Sequence, residues 1–214
     1  MECICVHGVL PHFLSDEDIS HSDLWRQEIF FRKTEYHLIS AMSGAGKSSL
    51  LSYVFGERKD YQGEIYYDDH IIDSLKPREW SEVRKRRISF VFQGLRLFSE
   101  LTAFENISLK NRLTHHKTDD EIMNMLQNAG LADQRNEKAA RLSFGQQQRV
   151  AIIRALCQPF DFLLMDEPFS HLDDANIEKM CEIVTRELTS QQAGLLLCSL
   201  GNEYSFDYYQ KWKL

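Results

Sequence analysis

The stretch ISAMSGAGKSSLL, residues 39–51, decides how the rest of the chain is read. It has the spacing of a phosphate-binding loop, G-x-x-x-x-G-K-[ST], with Gly46, Lys47 and Ser48 in place and Ala41 where the first glycine belongs. In such a loop, consecutive main-chain N–H groups point at the β- and γ-phosphates. The helix that follows adds the positive end of its dipole. Lys47 supplies a point charge between phosphates, the Ser48 hydroxyl can bind Mg²⁺, and Gly44 and Gly46 let the backbone approach closely. Alanine at 41 is costly only if that position needs a positive φ. Taken alone, the stretch is also compatible with a plain Gly/Ser turn ahead of a helix.

Its surroundings favour the phosphate reading. QEIFFRK and YHLIS precede it as strands, and SSLLSYVFG continues it as a helix ending near Gly56. GEIYYDDH reads as a strand entering a turn, PREWSEVRKR as a short helix with Pro77 in its first turn, and ISFVF (88–92) as a buried strand. Between 94 and 159 no strand pattern appears. TAFENISLKN and TDDEIMNMLQNAG are helical, with Thr118 and Glu121 as a capping box and Gly130 as a stop. Strands return in FDFLLM (160–165) and AGLLLC (193–198), separated by a helix over roughly 174–190. The order predicts an α/β fold with a mostly parallel sheet and an inserted helical region.

Two further stretches carry chemistry. FLLMDEP (162–168) is an apolar strand that delivers Asp166 and Glu167 to the edge where ligands of open α/β sheets bind. Asp166 can hold Mg²⁺ and Glu167 can polarise a water; strand ends capped by acids are also common without function. LSFGQQQRVAIIRAL (142–156) is a helix start with Ser143 as N-cap and Gln146 completing a capping box. Such a start is also an anion site, and Gly145 leaves room for a phosphate.

Composition sets the outer limits. The chain has 214 residues, enough for one or two domains, with 43% hydrophobic and 27% charged residues. The net charge of −7 disfavours nucleic acid and anionic membrane surfaces, and RKRR (84–87) reads as a solvated helix end. Five cysteines, at 3, 5, 157, 181 and 198, show no C-x-x-C pairing and predict free thiols in a reducing compartment. The start MECICVHGVLPHFL has no basic region and is broken by Pro11, so no signal peptide is expected, and no apolar run reaches the ~18 residues of a membrane helix.

In their order, SGAGKSS, Gln93 in FVFQ, LSFGQQQRVAIIRAL, LLMDEP and SHLD resemble the nucleotide-binding subunit of an ABC (ATP-binding cassette) transporter over roughly residues 40–173. Within it, RRISFVFQGLRLFSELTAFENI is most similar to the lipoprotein-releasing, macrolide-exporter and cell-division ATPases. The resemblance implies a P-loop NTPase core over 1–93 and 156–214, an N-terminal antiparallel β region, and a helical subdomain over 94–155 that carries LSFGQ. It implies ATP and Mg²⁺ as ligands, with ATP sandwiched between two chains.

Carried onto this sequence, Ser43, Gly44, Ala45, Gly46, Lys47, Ser48 and Ser49 would cradle ATP. Ser48, Gln93 and Asp166 would serve the metal, and Glu167, Lys47 and Gln93 the chemistry. Ser143, Gly145 and Gln146 would reach the γ-phosphate of the second chain, Asp173 would link the two sites, and Phe13 would stack on adenine. Gln93 would sense a separate transmembrane permease, with the chain cytoplasmic and peripheral on the inner face of the membrane. Two departures from the family pattern stand out: Phe144 for a glycine, and Leu200 for the histidine expected after the last core strand. Leu200 keeps open a weakly hydrolysing regulatory subunit. A soluble ABC protein acting on nucleic acid is a third, less favoured reading, against which the acidic charge counts. The histidines, including the His115–His116 pair, read as solvated.

Overall fold

The computed structural model describes residues 1–15, 17–41 and 44–214. Two sheets organise them. The first is antiparallel: β1 (Cys3–Pro11) lies between β2 (Glu28–Arg32) and β4 (Tyr61–Tyr67), and the short β5 (His70–Ile71) extends it. The second is parallel, in the order β6 (Ile88–Val91), β7 (Phe162–Asp166), β8 (Gly194–Ser199), β3 (Tyr36–Ser40), β9 (Gln210–Lys213). Around them lie α1 (Lys47–Val54), α2 (Pro77–Arg86), α3 (Ala103–Asn111), α4 (Asp119–Asn128), α5 (Phe144–Leu156) and α6 (Asp174–Gln191).

The parallel strands read as unbroken apolar runs because both faces of their sheet are covered. Leu163, Met165, Leu195 and Leu197 point into one core, with residues of α3 to α6. Their neighbours Phe162, Leu164, Leu196 and Cys198 point into a second core, shared with α1 and with Ile4 and Val6 of β1. The core strands thus separate two apolar layers, one helical and one built from the antiparallel sheet.

Capping residues set the helix starts. Thr102, Thr118 and Ser143 each accept from the amide three residues on, and Glu105, Glu121 and Gln146 bond back to the capping residue's amide. Between β6 and β7 the described residues form no strand; the one pairing there is an isolated bridge, Thr102–Lys138. All five cysteines are free.

The N-terminal antiparallel β region implied by the resemblance is present: the segment 3–11, interrupted by Gly8 and Pro11 and not read as a strand from its own residues, forms β1 between β2 and β4. Its irregularity is accommodated by a register shift between His7 and Leu10. There Gly63, at φ +88, packs so closely on Gly8 that a Cβ would fall 2.5 Å from Gly8 C. RKRR is not simply solvated: Arg84 donates to the carbonyls of Phe55 (3.3 Å) and Gly56 (2.9 Å) and lies over Trp80, closing the end of α1. Two histidines are not solvated either: His37, which is fully buried, and His116. His116 makes its contact with α6. Its Nε2 lies 3.5 Å from Glu187, which also pairs with Lys117 at 2.9 Å, joining the α3–α4 connection to α6.

Candidate functional site

Parallel strands deliver their C-terminal ends to one edge. The register sets Ser40 beside Ser199 and Asp166 beside Cys198, so the segments leaving β3, β7 and β8 emerge together. A cleft of about 260 Å³ opens there, lined by Phe13, Gly44, Gly46, Lys47, Ser48, Ser49, Gln93, Glu167 and Leu200. Residues far apart in sequence thereby meet where open α/β sheets bind ligands.

The loop between β3 and α1 is built for close approach. Gly44 and Gly46 both sit at positive φ, +91 and +95. A Cβ on Gly46 would lie 2.8 Å from the ring of Trp25, whose indole N–H donates to the Ala45 carbonyl at 3.2 Å. No acidic residue occupies the first turn of α1, which leaves its dipole open to an anion. Ser43 lies outside the described residues. Lys47 is buried and donates to the Ala41 carbonyl at 2.6 Å. The alanine therefore contributes through its main chain, which a glycine would supply no better.

Two carboxylates face this lysine's surroundings. Asp166 and Glu167 are buried, and Asp166 Oδ1 and Glu167 Oε1 have no hydrogen-bond partner among the described residues. Burial raises the Asp166 carboxyl, against a hydrogen bond from Ser48 and the charge of Lys47. Burial also raises Glu167, against the Lys47 charge and a main-chain hydrogen bond from Leu200. Glu167 holds φ +48, a left-handed conformation sparse for non-glycine residues. A buried carboxylate oxygen without a donor, next to a hydroxyl, suits a hard divalent cation.

Phe13 also lines the cleft and is 51% exposed. The Arg58 guanidinium lies 5.9 Å from its ring centre and donates to Ser49 Oγ at 2.8 Å. Gln93 enters from the segment after β6. The next residues, Leu95 and Arg96, both have positive φ (54 and 51), and Arg154 grips their carbonyls at 2.5 and 2.6 Å. Burial pushes the Arg154 guanidinium down to about 10, still a cation at neutral pH.

Ser143, Gly145, Gln146 and Asp173 do not line the cleft. Ser143 and Gln146 cap α5, with Gln146 N donating to Ser143 Oγ at 3.3 Å. A Cβ on Gly145 would lie 3.0 Å from the His171 carbonyl, so glycine has a reason within the chain. Asp173 caps α6 by accepting from Asn176 N at 2.9 Å. Phe144 is half exposed, and its ring packs edge-on against His171 at 4.3 Å, filling the place a glycine would leave open.

Sequence reasoning missed Trp25, Arg58, Gln148 and Arg154. Each acts through tertiary partners, and the motif that contains Gln148 and Arg154 does not mark those contacts.

A family model described as ABC transporter matches residues 28–170. The lipoprotein-releasing system ATP-binding protein LolD of Aquifex aeolicus is 36% identical over 156 residues, covering 71% of this chain and 69% of that protein. An uncharacterized ABC transporter ATP-binding protein of Thermotoga maritima is 35% identical over 158 residues, 70% of this chain and 65% of the relative. The chain thus spans just under two thirds of the latter's length. Among solved structures, the dimeric structure of the bacterial ABC transporter cassette MJ0796 superposes with a TM-score of 0.75 at 27% identity, covering 92% of this chain and 88% of that one. A post-hydrolysis state of the same cassette, dimeric and bound to ADP and Pi, matches with a TM-score of 0.75 at 26% identity.

Proposed function

The chain belongs to the ABC transporter family, and on that premise we propose that it binds and hydrolyses ATP as a dimer to drive a separate transmembrane partner. The observation that carries this reading is the single cleft uniting Phe13, Lys47, Ser48, Gln93 and Glu167. Phe13, which lines the cleft, would stack on the adenine. The 44–49 loop and Lys47 receive the phosphates, with Ser43 as a further loop contact.

Ser48, Asp166 and Gln93 would hold Mg²⁺, which neutralises phosphate charge when bound. Glu167 takes the proton of the attacking water, and burial makes its carboxylate more basic than one in solvent. Phosphoryl transfer needs little more than positioning and charge stabilisation, and these side chains supply both.

The capped start of α5, with Ser143, Gly145 and Gln146, lies outside this cleft and serves the γ-phosphate of a second copy or a paralogue. Asp173 stands near it as the link between the two sites. ATP bound to both chains favours the closed dimer, and loss of the γ-phosphate removes that preference. The helical subdomain carrying LSFGQ spans 94–155 in this reading.

A transmembrane partner is supported by an apolar groove of about 350 Å³ lined by Phe90, Phe92, Phe98, Leu109, Lys110 and Leu113. Phe98 and Leu113 are more than half exposed there, as apolar residues at an interaction surface are. No described helix is long and apolar enough to cross a membrane. We place the chain at the cytoplasmic face of the membrane, held by its permease.

The same fold accommodates a weakly hydrolysing regulatory subunit. That alternative is favoured by Leu200, an apolar side chain 57% exposed on the cleft rim at the position where the family pattern has histidine. Steady-state ATPase of the purified chain, alone and with its membrane partner, separates the two. Turnover that stays at the level of a Glu167→Gln control in both settings selects the regulatory reading.

A further inference from the structure

One buried side chain next to the site serves none of the roles above. Gln148 lies on the second turn of α5 and is 1% exposed. Its amide nitrogen donates to the Glu167 carbonyl and to Ser170 Oγ, both at 3.2 Å. Its amide oxygen accepts from the His171 main-chain N–H at 3.3 Å. One glutamine thus fastens three points of the turn between β7 and α6.

The turn's other ties are main-chain bonds, Ser170 N to the Glu167 carbonyl at 3.5 Å and Leu172 N to the Phe169 carbonyl at 3.1 Å, and the buried Phe169 ring against Tyr204 and Phe206. Glu167 is at φ +48, and its own N–H is fixed by the Cys198 carbonyl of β8 at 3.1 Å. A left-handed glutamate persists only where its surroundings over-determine it. Its amide is tied to the sheet, and its carbonyl takes the shorter of its two bonds, 3.2 Å, from Gln148 of α5 and the longer, 3.5 Å, from Ser170 N within the turn. The Phe144–His171 ring contact and the tight approach of Gly145 to the His171 carbonyl add to the same junction.

We infer that Gln148 is a positioning residue that fixes the turn presenting Glu167 and transmits the placement of the LSFGQ helix to that carboxylate. This rests on the ATP-hydrolysis reading above. The consequence is a division of labour. Lys47 and the phosphate loop hold nucleotide without reference to α5, whereas the aim of Glu167 depends on it. Displacing a reacting group by about 1 Å can cost on the order of 10²-fold in rate.

Gln148→Met keeps length and volume but removes all three hydrogen bonds. Gln148→Glu keeps an acceptor for His171 and, once its carboxyl is ionised, removes the donor to Glu167. In the Met variant, amide hydrogen exchange at Glu167 and His171 should accelerate by about tenfold or more while the β7 amides stay protected. Its kcat should fall by about 10- to 100-fold, with the ATP dissociation constant from calorimetry unchanged within about twofold. Assayed toward alkaline pH, where its carboxyl ionises, the Glu variant should lose kcat similarly yet keep His171 protected.

If Gln148→Met does not fold, Gln148→Glu carries the test. Wild-type protection at Glu167 together with wild-type kcat in a folded variant would overturn the inference. So would a parallel loss of affinity, rate and melting temperature, or failure of both variants to fold, since each marks an ordinary core residue. A wild-type protein that binds ATP but never turns it over would instead refute the hydrolysis reading, and the exchange data would still decide the role of Gln148.

Discussion

The ammonium of Lys47 lies 3.9 Å from Glu167 Oε1 and 2.6 Å from the carbonyl oxygen of Ala41. One cation therefore spans the exit of β3 and the turn after β7, between a main-chain dipole and a buried carboxylate.

Replacing that cation should be felt by nucleotide first. Lys47→Ala should abolish tight binding of ATP with Mg²⁺ while the chain remains folded. Calorimetric titration checks it, and an unchanged affinity would remove the lysine from the site.

Glu167→Gln should keep ATP affinity and slow hydrolysis by about 10²–10⁴-fold, the range of a lost general base. It should also trap an ATP-dependent dimer in gel filtration. Normal turnover in this variant would end the base assignment.

Ser143→Arg tests the two-chain sandwich. Ser143 is exposed at the start of α5 and does not line its own chain's cleft. A long side chain there should block ATP-dependent dimers and leave monomer affinity near normal. Intact dimers by light scattering would refute the arrangement.

Leu200→His should raise the hydrolysis rate of the isolated chain. A hydrogen bond to a charged group contributes about 1.5–3 kcal/mol. Gained in the transition state, that corresponds to roughly 10- to 150-fold. No gain with the fold intact means that Leu200 is not at the reacting end of the cleft or that another step limits turnover.

Acid should weaken a different part of the molecule. Burial raises the Asp161 carboxyl, but hydrogen bonds from Lys33, the Met1 amino group and Arg87 outweigh it and hold it below its ordinary range. Lys33 and Arg87 both stand 2.9 Å away. A depressed carboxyl stabilises the fold above its unfolded value of about 3.9, and the contribution fades as pH falls through the folded value. Asp161→Asn should therefore cost about 1.5–3 kcal/mol in urea unfolding at pH 6. The gap to wild type should narrow by pH 3, and an equal gap at both pH values would contradict the assignment.

The helices and, except for the short and largely exposed β9, the parallel strands were legible in the sequence because their signals are local. Ser143 with Gln146 and Thr118 with Glu121 announce helix starts, and both pairs form the predicted reciprocal bonds. The unbroken apolar run FLLMD marks a strand buried on both faces. Lys47, Ser48, Gln93 and Glu167 were likewise readable once the motif order was seen, Phe13 was placed only by its distance ahead of Lys47, and all five line one cleft. What stayed hidden is held by distant partners. β1 owes its strand to neighbours on both sides rather than to its own interrupted sequence. Arg154 finds its carbonyls 58 and 59 residues away, and Arg84 bonds carbonyls 28 and 29 residues away, so both read locally as ordinary surface charges.

Trp25 gives the molecule an optical handle. Its indole N–H rests on the Ala45 carbonyl and its ring abuts Gly46, so its emission reports the conformation of the phosphate loop directly. The other two tryptophans sit elsewhere, Trp80 against Tyr67 and Arg84 and Trp212 against His37. A Trp80→Phe, Trp212→Phe double variant would leave a single buried fluorophore 2% exposed to water. Occupancy of the loop could then be followed in real time, without labelled nucleotide and without waiting for product.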